Sequence, residues 1–275
     1  GLSEHLEWIK PKNAHFVKRH MYPFVTPLDL LKFTAIPFTS RVRLGLAAVW
    51  LRRQKDGVDR YEGVTARAWM ERAVGKRAFA AFWGPLLKGK FADQADNVGM
   101  VWLWNKIYLR FASRKGSGNS ESLGYLHGSF RRYYMALADE LSRRGVEIRL
   151  NTDVEKVEVS EGTVTGIRAG GVSYQFDQVL MTTPNIITSR ICADLPDDYR
   201  AILERVRYQW ATCLILALDR PLTPYYWLSI GDNLPFVACI EHTNFLPKER
   251  YSGNHVVYLS NYTAPGHPVL EMSAD

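Results

Sequence analysis

Residues 124–184 read GYLHGSFRRYYMALADELSRRGVEIRLNTDVEKVEVSEGTVTGIRAGGVSYQFDQVLMTTP, and this stretch decides the fold. Phe130, Tyr133, Tyr134, Leu137 and Leu141 recur at helical spacing, while Arg131, Arg132, Asp139, Glu140 and Arg143 fill the other face. The spacing predicts a one-sided helix. Ser129 is placed to cap its start, Arg143 and Arg144 suit the negative end of its dipole, and Gly145 can close it in the left-handed conformation. Val146, Ile148 and Leu150 then alternate with Glu147 and Arg149 as a strand. Val157 and Val159, then Val164 and Ile167, then Val172, Tyr174 and Phe176 predict a three-stranded meander turned at Glu161-Gly162 and Gly170-Gly171. Val179-Leu180-Met181 has no polar alternation and reads as a strand buried on both faces.

Taken in order, these residues give a glycine turn, a helix, Gly145, a short strand, Asn151-Thr152-Asp153-Val154, a meander, Asp177-x-Val179 and Thr182-Thr183-Pro184. That order resembles the middle of the flavin-dependent amine oxidase superfamily, which includes protoporphyrinogen oxidases and carotenoid-type desaturases. The resemblance implies a mixed α/β fold: a substrate domain of helices packed on a mixed β-sheet, with an inserted part of a Rossmann-like FAD-binding domain that contains the meander. It also implies that the backbone of Val154 meets the adenine of FAD and that the strand ending at Thr183 and Pro184 returns the chain to the FAD domain. Val154, Thr183 and Pro184 are therefore the expected cofactor-binding residues. No catalytic residue lies in the run, and a generic helix plus meander is the plain alternative.

The expected division is a helical part of the substrate domain over 1–120, part of the FAD domain over 121–190, and a sheet part of the substrate domain over 191–275. Members of the superfamily bind FAD through an N-terminal strand, glycine-rich turn and helix, and finish with a segment against the flavin ring. This chain shows neither pattern, so it is expected to be part of a longer flavoprotein and to be inactive by itself. The other reading of the same absence is a binding module that has lost its cofactor site.

Composition sets outer bounds. The 275 residues are 47% hydrophobic and 12% aromatic, enough for one large or two modest cores. Cys192, Cys213 and Cys239 lie far apart in apolar surroundings and read as reduced core residues. No apolar run reaches the roughly 18 residues that a membrane span needs, and no signal peptide opens the chain, so a cytoplasmic location is expected. The net charge of +7 is uneven. Arg41, Arg43, Arg52, Arg53 and Lys55 bracket Leu44 to Leu51, and Lys106, Arg110, Arg114 and Lys115 bracket Ile107 to Phe111. Two readings stand: amphipathic helices peripheral to an anionic membrane, or core helices with snorkelling arginines. Nucleic acid is not an expected partner, because no binding motif accompanies the charge.

Along the rest of the chain, 1–60 opens without an evident strand. A helix begins at Pro27, another covers 39–54, and Thr65 caps a third that Gly75 interrupts and Gly84-Pro85 stops. Residues 114–122 read as a linker, where Gly116-x-Gly118 imitates a dinucleotide fingerprint but Glu121 occupies the third glycine's place. Later, Leu195-Pro196 starts a short helix, Trp210 to Leu218 is a continuous apolar strand, 225–230 and 236–241 form a hairpin, and 255–261 adds another strand to the same sheet.

The chemistry the residues suggest is modest. His242 follows Glu241, but neighbours in a strand point to opposite faces and cannot form an acid–base pair. It reads either as a satisfied structural histidine or, with Asn244, as a group facing a substrate. Tyr226 and Trp227 are the expected aromatic substrate contacts, joined by Trp102, Trp104, Tyr108 and Tyr225 in an aromatic wall. The seven histidines show no ligand spacing, so no metal is expected. With FAD as cofactor, the expected parent is an oxidoreductase that takes a hydride from a C–H or C–N bond of a hydrophobic small molecule. A sugar-nucleotide mutase-like isomerase and a non-catalytic lipid-surface module are the alternatives. Substrate identity, electron acceptor and oligomeric state stay open.

Overall fold

The computed structural model describes residues 2–112 and 121–272, and the chain forms two compact units, Gly1–His127 with Gln209–Asp275 and Gly128–Tyr208. The basic and glycine-rich stretch at 113–120 lies outside the described residues.

The first unit opens with strands that the sequence reading lacked: β1 (Leu6–Ile9), β2 (Asn13–Val17) and β3 (His20–Pro23). The turn between β2 and β3 uses Lys18 at φ 52 and Arg19 at φ 60, two residues that avoid the left-handed region. Nothing local marks them as a turn, because their amides are held by the distant carboxylate of Asp232. Six helices follow: α1 (Pro27–Lys32), α2 (Phe38–Arg53), α3 (Gly57–Tyr61), α4 (Ala66–Val74), α5 (Lys76–Phe91) and α6 (Met100–Ala112). Thr65 caps α4 as expected, its Oγ1 accepting the Ala68 amide at 3.2 Å, and Gly75 breaks the chain at φ 92.

Gly84-Pro85 does not stop a helix, since α5 runs through both. An internal proline costs roughly 3 kcal/mol. Burial of Phe82 and Leu87, about 1.5–3 kcal/mol each, offsets it. Gly89 lets the last turns approach β-structure closely, because a Cβ there would stand 2.4 Å from Cγ1 of Val237. Phe33, Leu51, Met70, Leu87, Met100 and Leu103 form the centre of this helical core. Trp104 belongs to it too, its Nε1 donating to the Leu51 and Gln54 carbonyls. It is a core residue and not part of a substrate wall.

After β4 (Leu123–Leu126), which pairs antiparallel with β1, the chain enters the second unit. Helix α7 (Ser129–Arg143) starts with Ser129 Oγ accepting the Arg131 amide at 3.3 Å and ends at Gly145 with φ 84. The meander is β5 (Val154–Ser160), β6 (Thr163–Ala169) and β7 (Val172–Gln175), turned where the glycines predict. Helices α8 (Asn185–Ile191) and α9 (Asp197–Glu204) stay with it, α8 packing on β5. The inserted unit therefore runs 128–208 where the sequence reading has 121–190: pairing with β1 keeps β4 out, and packing keeps α8 and α9 in. Two expected strands are absent. Residues 146–150 and 178–182 join no strand ladder among the described residues, and Leu150 and Leu180 are 78% and 89% exposed. A strand exists only with a neighbour to bond.

The chain returns to the first unit as β8 (Trp210–Leu218), β9 (Trp227–Ile230), β10 (Ala238–Glu241) and β11 (His255–Thr263). They join β2 and β3 in one six-stranded sheet of order β3-β2-β9-β10-β11-β8. The sheet is mixed, β2 running parallel to β9 and the other pairs antiparallel. Ala14, Leu228, Ile230, Cys239 and Val257 form a second core on it. Cys239 is buried as expected, but Cys213 is exposed, because β8 is an edge strand. No helix among the described residues is long and apolar enough to cross a membrane.

Candidate functional site

Where β10 ends, the chain tightens into a short 3-10 turn, His242–Asn244, and sets two neighbouring polar residues in opposite surroundings. Glu241 is fully buried and its carboxylate accepts the amides of Leu222 and Thr223, the latter at 2.5 Å. His242 points instead into a group of rings: Tyr251 at 5.3 Å between centroids, Tyr258 at 5.7 Å, Tyr125 at 5.9 Å and Phe245 at 6.4 Å. Tyr226 stacks on Phe245 at 4.5 Å and 30°. Four segments supply these rings: β4, the entry to β9, the turn around Phe245 and Tyr251, and β11.

The electrostatics of the group are uniform. Burial pushes the Tyr226 hydroxyl up, with Tyr125, Tyr258 and Glu121 adding to the effect. Burial raises Tyr258, and it raises Tyr251 to about 12, helped by Tyr125 and Tyr258. Burial lowers His242 below the usual histidine value. Near neutral pH Tyr226, Tyr251 and Tyr258 are therefore protonated phenols around a neutral imidazole. The Tyr251 hydroxyl and His242 Nε2 share a hydrogen bond 2.6 Å long. Such a surface can orient a flat ligand by ring contact and hydroxyl hydrogen bonds. The carboxylate of Glu121 is near enough to act on the Tyr226 hydroxyl.

Of the four expected substrate residues, the fold brings Tyr226 and His242 to this cluster. Trp227 turns away and lines a cleft of about 120 Å³ between α5 and the sheet, with His15, Phe82, Lys90, Ser229 and Tyr262. Its Nε1 donates to Ser229 Oγ at 3.1 Å, and Lys90 Nζ lies 5.2 Å from the centre of the Tyr262 ring. Small-molecule pockets run from about 300 Å³ upward, so this cleft holds little more than a substituent. Asn244 clamps a loop, donating to the carbonyls of Thr223 and Tyr225 at 2.7 and 2.9 Å. Tyr125, Tyr251, Tyr258 and Phe245 were not singled out by sequence. The chain signals nothing about them, since the residue nearest to His242 in sequence, Phe245, is a plain core type.

The expected cofactor residues lie in the other unit. Val154 opens β5 beside a bulge and stays 38% exposed, leaving its main chain approachable. Thr183 Oγ1 lies 2.9 Å from Thr188 Oγ1, and Pro184 forms the N-cap of α8. The chain has no G-x-G-x-x-G turn, so the usual seat for the pyrophosphate is not in it.

A helical layer on a mixed sheet, interrupted by a unit of helix and meander, defines a class of flavoprotein architecture. The chain belongs to the family of flavin containing amine oxidoreductases, whose family model matches residues 1–274. An oxidoreductase from Methanosarcina mazei is similar in structure, with TM-score 0.75 and 17% identity over 97% of this chain and 64% of that one. A proposed protoporphyrinogen oxidase from Exiguobacterium sp. 255-15 matches all of this chain and 64% of its own, with TM-score 0.67 and 15% identity. A reduced UDP-galactopyranose mutase matches 94% of this chain and 59% of its own, with TM-score 0.64 and 14% identity. The chain thus spans less than two thirds of the length of these proteins, 59–64%. A sequence comparison with curated proteins finds no significant match.

Proposed function

We propose that the chain forms the substrate domain and the adenine side of the FAD domain in an FAD-dependent oxidoreductase acting on a hydrophobic small molecule. The observation that carries this reading is the cluster of aromatic rings and phenol hydroxyls around His242. When bound, the flavin accepts the hydride released from a C–H or C–N bond of the substrate. The protein then has only to orient the reacting carbon and exclude water, and phenols and ring faces suit both tasks. Tyr226, stacked on Phe245, is assigned to the face of the substrate, and His242 to a polar substituent. The main chain of Val154 is assigned to the adenine, with Thr183 and Pro184 at the return into the FAD domain.

The natural reading frame that contains this chain is the test. Its product should carry FAD, and anaerobic mixing with the true substrate should bleach the flavin. Tyr226→Ala should slow bleaching by ~10-fold or more while FAD stays bound, since one positioning contact is lost. The 275-residue chain alone should purify colourless. A full-length product free of flavin would overturn the proposal.

The second reading is a flavin-dependent sugar-nucleotide mutase, favoured by the three half-buried hydroxyls of Tyr226, Tyr251 and Tyr258, which suit a hydroxyl-rich ligand. Turnover of a sugar nucleotide with no net redox change would select it.

A further inference from the structure

Helix α2 is apolar on two opposite sides. Leu44, Ala47 and Leu51 enter the helical core, whereas Phe38, Val42, Leu46, Val49 and Trp50 face outward, Leu46 being 65% and Trp50 52% exposed. A surface helix ordinarily carries one apolar stripe, so the second stripe calls for a partner. Leu28 and Leu31 of α1, which packs on α2, are exposed as well.

Charge identifies the partner. Residues 30–55 contain no Asp or Glu, while Lys32, Arg41, Arg43, Arg52, Arg53 and Lys55 are all basic. At 100° per residue, Arg53 falls within the outer stripe beside Val42, Leu46 and Val49, and Arg43 and Arg52 fall at its two edges. The guanidinium of Arg43 donates to the Ala73 and Arg72 carbonyls, which fixes its place without neutralising it. The bordering acids are engaged elsewhere: Asp29 accepts the Val25 and Thr26 amides, and Asp56 pairs with Arg60 at 3.4 Å. The exposed apolar side of α7, by contrast, shares its helix with Asp139 and Glu140.

We propose that the outer face of α2, with Leu28 and Leu31 of α1, docks on an anionic lipid bilayer. The leucines, valines and Phe38 enter the acyl boundary, Trp50 sits at headgroup depth on the edge shared with Arg43, and the basic side chains meet lipid phosphates. The proposal does not depend on the flavin reading.

Sedimentation of the 275-residue chain with phosphatidylcholine vesicles, with and without phosphatidylserine, tests it. The chain should pellet with anionic vesicles, bind neutral ones ~10-fold or more weakly, and be released by high salt. Leu46→Glu should weaken binding by ~10-fold or more, and Arg52→Glu with Arg53→Glu by ~25-fold or more. Leu137→Glu, an exposed change on α7, should leave binding as it was. Matched melting temperatures separate lost binding from unfolding. Equal recovery with both vesicle types, or with neither, overturns the proposal. So does a vesicle-free dimer that Leu46→Glu dissociates, which would make the face a contact between copies.

Discussion

The Nε2 atom of His242 and the hydroxyl of Tyr251 lie 2.6 Å apart, and burial holds the histidine neutral and the tyrosine protonated. Unfolded, the histidine takes up a proton near pH 6.5; folded, it does so only at lower pH. Between those two values the unfolded chain binds more protons, so stability falls as pH drops through the window, and above it the group contributes nothing. The melting temperature should therefore decrease between about pH 7 and about pH 5 more steeply in the native protein than in His242→Gln. Parallel curves would remove His242 from the acid response.

Asp232 should hold the β2–β3 turn. Its two carboxylate oxygens accept the Lys18 and Arg19 amides at 2.6 and 2.9 Å, where both residues are left-handed. Because the site is exposed, Asp232→Ala is expected to cost about 1 kcal/mol in chemical denaturation. Lys18→Asn with Arg19→Gly supplies the residues such a turn favours and should restore about as much. Failure of the double change to offset Asp232→Ala would place the strain elsewhere.

Glu241 has a structural task. Its buried carboxylate receives the Leu222 and Thr223 amides, Oε2 accepting both. Glu241→Ala leaves both amides without that acceptor and should lower stability by about 2 kcal/mol, read from the urea midpoint at constant slope. A neutral outcome would mean the loop re-pairs.

Gly57 leaves room for Trp104. A Cβ at this position would come within 2.2 Å of the indole, and the indole Nε1 is itself tied to two carbonyls at the end of α2, each at 3.2 Å. The ring cannot step aside without losing those bonds. Gly57→Ala should destabilise by about 3 kcal/mol, while Trp104→Phe, which keeps most of the volume, should cost about 1–2 kcal/mol. Calorimetry of both variants checks the order, and the reverse order would show that the helix gives way before the ring does.

The sequence by itself determined the elements that depend on local chemistry. Helix α7 with its glycine stop is one. The meander is another, its turns placing Gly162, Gly170 and Gly171 at the positive φ that glycine adopts freely. The ordered run from the helix to Thr182-Thr183-Pro184 was enough to indicate the family that the match over residues 1–274 shows. Tertiary structure alone decided the rest. A helix bonds to itself, but a strand needs a neighbour, which is why β2 and β3 exist without a local signal and 146–150 and 178–182 carry a strand pattern without pairing. The Lys18-Arg19 turn is legible only through Asp232, more than 200 positions away. The candidate site has the same origin: Tyr125 on β4 and Tyr258 on β11 come to His242 from two different sheets, and no spacing in the chain records that meeting.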